Sequence, residues 1–163
     1  MFLSVASGAQ DSLVVRKMFN DKIELLVPRT FRELTKEQIA AKFPDAGSRP
    51  AVVWTADDES SGIRVMEMPE DVSDQQVPEY QTFHVRYMKQ EPDQEWISDG
   101  VRKINGRNVG FVKVVHTDIN TYAHYFFVSI DGRLVQLAYH CTGKLRPSLE
   151  SVGDKIAASL KVK

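Results

Sequence analysis

Cysteine is nearly absent from the 163 residues: Cys141 stands alone. That excludes an internal disulfide framework and a cysteine-rich zinc site, and leaves packing as the source of stability. No stretch approaches the ~20 consecutive apolar residues of a membrane span. The opening Met1-Phe2-Leu3-Ser4-Val5-Ala6 lacks a basic n-region, and its apolar run falls short of the roughly 7–15 residues of a secretory h-region. An excess of one charge is missing too. The net charge is −1 and the two signs are interspersed. This argues against nucleic-acid binding through counterion release, and against a polybasic membrane anchor. These features fit a cytoplasmic chain, or a periplasmic one whose leader has been removed. There is no G-x-S-x-G elbow, P-loop, G-x-G-x-x-G fingerprint or H-E-x-x-H helix. Asn105-Gly106-Arg107 and Gly143-Lys144 read as turns. We expect no enzyme and no cofactor.

What is present suits one domain. Hydrophobic residues make up 42% and charged residues 26%, and a chain of this length buries roughly 70% of its unfolded surface. Residues 1–12 read as a flexible arm, and 13–163 as a single domain. Leu13-Val14-Val15 and Lys22 to Val27 read as extended, with Pro28 stopping the second. Thr35 and Gln38 have capping-box spacing ahead of Ile39, Ala40 and Phe43, and Pro44 with Gly47 ends that helix. Ala51 to Thr55 and Gly62 to Met68 form a hairpin across the acidic turn Asp57-Asp58-Glu59. That turn lacks the spacing of a calcium loop and reads as solvated. From Asp74 to about Gln90 a second helix places Tyr80, Phe83, His84, Tyr87 and Met88 on one stripe, read as a core face.

The last half is the most legible. Trp96–Ile104, Val109–Thr117, Tyr122–Ile130 and Leu134–Cys141 are four strand-like runs. Asn105-Gly106 and Asp131-Gly132 are type I′ hairpin dipeptides, and Asp118 to Thr121 is a short polar link. Short links force antiparallel neighbours, hence a meander. Pro147, then Leu149, Val152, Ile156 and Leu160, predict a closing helix with one buried face. The fold class is α+β: an antiparallel meander sheet flanked by helices.

Chemistry is sparse. His116 and His124 lie on adjacent strands with Asp118 between them, so a bound metal, a small ligand or an enzymatic site would use these three. The plainer reading, ordinary sheet histidines, assigns no metal site. A two-residue turn at Asp131-Gly132 sets His124 opposite Tyr139 and turns His140 to the other face. His140 and Cys141 therefore form no dyad, and Cys141 reads as a buried small hydrophobe. Glu91, Asp93, Glu95 and Asp99 either aid solubility or form an acidic rim for a basic partner.

The order of parts resembles a known family. Phe19-x-Asp21-x-Ile23-x-Leu25-x-Val27-Pro28, then Phe31-x-x-Leu34-Thr35, Ala40-x-x-Phe43-Pro44, Ile104-Asn105-Gly106 and the closing Ile156-Ala157-Ala158-Ser159-Leu160-Lys161 look like the PsbP/Mog-like α/β/α sandwich. The pattern is similar to its DcrB-like bacterial branch, which includes EagR-type chaperones of type VI secretion. The resemblance implies a non-catalytic binding role: a chaperone or adaptor in bacterial secretion or envelope assembly, with a protein partner. A toxin-immunity protein is the alternative. No lipobox cysteine precedes the domain, so a lipid-anchored form is not expected. Partner-binding candidates are Trp54, Trp96 and Tyr122, if they are not core, and an open sheet edge also allows a homodimer.

Overall fold

The computed structural model describes residues 12–163. Apart from Ser12, the arm expected at 1–12 lies outside them. Strands β1 (Leu13–Met18) and β2 (Ile23–Pro28) form a hairpin, β3 (Arg32–Glu33) is a short bridge, and α1 spans Lys36–Lys42. Strands β4 (Val52–Thr55) and β5 (Ser61–Asp71) pair antiparallel, and α2 runs Val77–Met88. The meander follows as β6 (Gln94–Ile104), β7 (Arg107–His116), β8 (Thr121–Ile130) and β9 (Arg133–Thr142). Helix α3 (Arg146–Ala158) and β10 (Lys161–Val162) close the chain.

Seven strands form the main sheet in the order β3-β4-β5-β9-β8-β7-β6, and β1-β2-β10 form a small second sheet. The hairpin dipeptides do what their chemistry dictates. Asn105 and Gly106 have φ of 47° and 80°, and Asp131 and Gly132 have 51° and 80°, the positive values a type I′ turn needs.

Side chains alternate across the main sheet, so each face meets its own cover. On one face Ile63, Val65, Phe126, Leu137 and Tyr139 pack against Ile23, Leu25 and Val27 of β2 and Ile156 and Ala157 of α3. On the other, Val112, Val114, Ala123 and Phe127 pack against Val77 at the start of α2. Helix α1 seals the end of that same face through Ile39 on Val53. This is the expected α/β/α sandwich, with the small sheet sharing one outer layer.

The capping box forms as the spacing predicts. Thr35 Oγ1 accepts from the Gln38 amide at 3.2 Å, and Gln38 Oε1 accepts from the Thr35 amide at 2.9 Å. A seven-residue helix is too short to hold itself, so Thr35→Ala is expected to cost about 1 kcal/mol. Urea titration checks this, and an unchanged midpoint would refute it.

Helix α2 corrects an expectation. Phe83 and Tyr87 are 67% and 60% exposed, so the five-residue aromatic stripe is not a core face. The buried positions are Val77 and Gln81, with Tyr80, His84, Val85 and Met88 half-buried beside them. The reason lies in β7. Gly110 has no side chain, and Gln81 occupies the space a Cβ would fill. From there Gln81 Nε2 donates to the Phe111 carbonyl at 2.6 Å. Anchoring the helix at Gln81 turns Phe83 and Tyr87 outward.

Candidate functional site

The register separates the histidines named from the sequence. His116 pairs with Thr121 across β7 and β8, whereas His124 pairs with Lys113. Positions 113 and 116 are three apart, so His116 and His124 point to opposite faces. The tight polar link fixes this pairing, and the two rings do not meet. His116 Nε2 lies 2.8 Å from the Tyr125 hydroxyl on the α2 side. His124 is buried on the α3 side, near Lys113 and Asp154. Asp118 is exposed and lies on the His116 side. Among the described residues no three His, Cys, Asp or Glu side chains converge as a metal site would need.

His124 does face Tyr139, and His140 does point the other way. Its ring lies over Gly62, where a Cβ would come within 2.9 Å of Cε1. Burial, with Arg64 and Lys42 nearby, pushes the His140 imidazole down to about 4. Cys141 sits in the core beside Tyr122, and burial pushes its thiol up to about 11. It stays a thiol at neutral pH and makes no thiolate nucleophile.

Two of the aromatic surface candidates are core. Trp54 and Tyr122 are buried in the large apolar cluster on the α3 side. Trp96 is half-buried, its Nε1 donates to Asp99 at 2.9 Å, and the Lys89 ammonium lies 4.9 Å above its ring. Among the described residues the exposed aromatics are instead Phe83 and Tyr87, and Ile119 is 65% exposed. The signal for this was Gln81, a polar residue in the middle of the helix that needed a buried partner.

Tyr87 and Ile119 border the part of the sheet that helices leave open, and Phe83 stands one turn before Tyr87 on α2. Between the end of α1 and the end of α2 run two adjoining hollows of about 420 Å³ each, which share His116, Tyr125 and Gln136. The hollow towards α1 is floored by Met66, Ala138 and His140 and edged by Arg64, whose guanidinium lies 4.9 Å over the Phe43 ring. The other is walled by His84, Tyr87 and Met88 and rimmed by Glu91, Asp93 and Asp118. The groove therefore has an apolar and aromatic bed, hydrogen-bonding groups along its middle, and carboxylates at the α2 end. It can hold an extended segment and hydrogen-bond to it.

No protein-family model matches the chain, and no curated protein matches it. Solved structures do. Over 98% of both chains it is similar to cyanobacterial PsbP (CyanoP) from Synechocystis sp. PCC 6803, with 18% identity and a TM-score of 0.60. LpqN, involved in cell envelope biogenesis of Mycobacterium tuberculosis, shares 16% identity at TM-score 0.58, over 96% of this chain and 87% of its own. The Saccharomyces cerevisiae Ran-binding protein Mog1p shares 12% at 0.53, over 93% and 96%. At such identities the likeness is one of fold. The chain has the PsbP/Mog-like fold.

Proposed function

We propose that this chain is a non-catalytic binding protein, a chaperone or adaptor whose groove between α1 and α2 receives a segment of a partner protein. The observation that carries this reading is the exposed Tyr87 and Ile119 lining an uncovered strip of sheet, with exposed Phe83 one turn before Tyr87 on the same helix. Aromatics at such positions dominate interface energetics. The carboxylates of Glu91, Asp93 and Asp118 suit a segment with basic residues at its α2 end. The similarity to a Ran-binding protein and to a protein of envelope biogenesis supports a binding role on this fold. In its finer form the proposal places the chain in the DcrB-like branch, serving bacterial secretion or envelope assembly.

A photo-crosslinking residue in place of Phe83 tests it in native cells, with the same residue at exposed Val15 on the small sheet as control. One protein captured at 83 and not at 15 is then purified and titrated. Phe83→Glu with Tyr87→Glu is expected to weaken its binding about 30-fold, the scale of a hot-spot loss. Equal capture at both positions, capture of a second copy of this chain alone, or unchanged affinity would refute the reading.

A further inference from the structure

On the opposite face of the sheet, α3 and the β6–β7 hairpin enclose a cleft of about 340 Å³. Its floor is apolar and buried: Val109, Phe111, Phe126 and Ala157. One polar side chain is sunk into that floor. His124 is 4% exposed, and its Nδ1 is buried with no hydrogen-bond partner. Asp154 Oδ1 lies 3.7 Å from it, beyond hydrogen-bond range, and that oxygen already accepts from Lys113 Nζ at 2.6 Å. A buried nitrogen left without a partner is destabilising. A docked ligand atom would recover that cost.

The mouth is basic. Arg102 and Lys103 are exposed there, and neither is ion-paired among the described residues. With Lys113 against Asp154, three cations face one carboxylate. The Arg102 guanidinium lies 4.5 Å over the Phe111 ring, whose centroid is 6.2 Å from that of His124. Phe111 therefore joins the charged mouth to the orphaned imidazole. Burial, with Lys113 next, pushes His124 down to about 4. The ring is neutral at physiological pH and presents an N–H or a lone pair rather than a charge.

We propose that this cleft binds a small carboxylic acid with an apolar body, seated on Phe111 and Phe126, its carboxylate held by Arg102 and His124. The groove on the α2 side plays no part in this, so either site can stand without the other. The cavity falls at the lower end of small-ligand sites, and its mix of apolar wall and few polar anchors is theirs.

Octanoate and its neutral counterpart octanol are the probes, added to the full chain and followed by amide and histidine side-chain NMR. Octanoate is expected to give saturable shifts at Phe111, His124 and Ala157, and to bind about tenfold more tightly than octanol, the scale of a charge-assisted hydrogen bond. Arg102→Gln alters an exposed residue and leaves folding intact. It is expected to remove most of that tenfold preference while octanol binding stays put. His124→Phe tests the buried anchor, with its far-ultraviolet circular dichroism as the folding check. Equal affinity for octanoate and octanol, no saturable shift through the millimolar range, or an undiminished preference in Arg102→Gln would each overturn the proposal.

Discussion

Acidification from pH 7 to pH 4 is expected to remove about 3 kcal/mol of folding stability through His124, and up to a similar amount through His140. Both imidazoles are held neutral by burial, at about 4 against an ordinary 6.5. At 1.36 kcal/mol per pH unit the gap amounts to about 3 kcal/mol for each ring. His140 keeps more contact with water, so its share is the smaller. The sign follows from proton counting. Between 6.5 and 4 the unfolded chain takes up protons that the folded chain refuses, so stability falls with pH across that window and levels off below it. Lys113 and Arg102 oppose protonation of His124 while Asp154 favours it. Around His140, Arg64 and Lys42 both oppose it. His84, also pushed down by burial, adds in the same direction.

Carboxylates enter only at the acid end of this window. Glu24 is held low by Lys163, Asp45 by the Gly47 amide, Asp58 by the Ser60 hydroxyl and Glu59 by Lys42. Their contributions begin to fade as pH nears their ordinary values of 4.5 and 3.8, so the histidine part is read from the fall between pH 7 and about 5.5. Urea midpoints at pH 7, 6, 5 and 4.5 are the measurement. His124→Gln is expected to flatten the curve by about half. A wild-type midpoint that does not move over this range would show that the rings are not buried as described.

The part of the fold visible in the sequence is the part whose information is local. Asn105-Gly106 and Asp131-Gly132 name their own turn type, and the second of these turns sets His124 against Tyr139 with no further input. Thr35 and Gln38 likewise need only each other. The β7–β8 link carries no such dipeptide, so the pairing of His116 with Thr121 was not readable, nor was the parting of the two histidines onto opposite faces. Helix α2 failed for another reason. Periodicity finds an aromatic stripe but does not weigh one buried amide against a glycine 29 positions away, and here Gln81 on Gly110 decided the rotation. The groove beside α2 depends on that rotation. It also depends on how far α1 and α2 stand apart, a tertiary fact with no local sign. Pairing of β10 with β2, through Lys161 opposite Glu24 and Val162 opposite Ile23, joins the ends of the domain and is equally non-local.

Gly153→Leu is expected to cost about 3 kcal/mol, and even Gly153→Ala is expected to destabilise, against the usual rule for a helix. A glycine inside α3 should be a defect worth about 1 kcal/mol relative to alanine. The packing reverses that preference. A Cβ at 153 would lie 2.5 Å from Tyr139 Cδ1 and 2.9 Å from Cε1, separations that no side chain tolerates. The Tyr139 ring has no easy retreat, because it is buried and its hydroxyl donates to the Leu149 carbonyl at 3.2 Å. Moving the ring breaks that bond, and moving the helix opens the apolar contacts of Ile156 and Ala157. Overpacking of this kind costs about 1–3 kcal/mol, which outweighs the propensity gain for alanine and exceeds it further for leucine. A double-mutant cycle separates the terms. Tyr139→Ala removes every atom that meets the new Cβ, so Gly153→Ala placed on that background is expected to become stabilising, with a coupling of about 1–2 kcal/mol. If Gly153→Ala stabilises the wild-type chain instead, α3 does not approach the sheet this closely. Asp154 and Ala157 ride on the same helix, so the shape of the acid-binding cleft depends on that approach too.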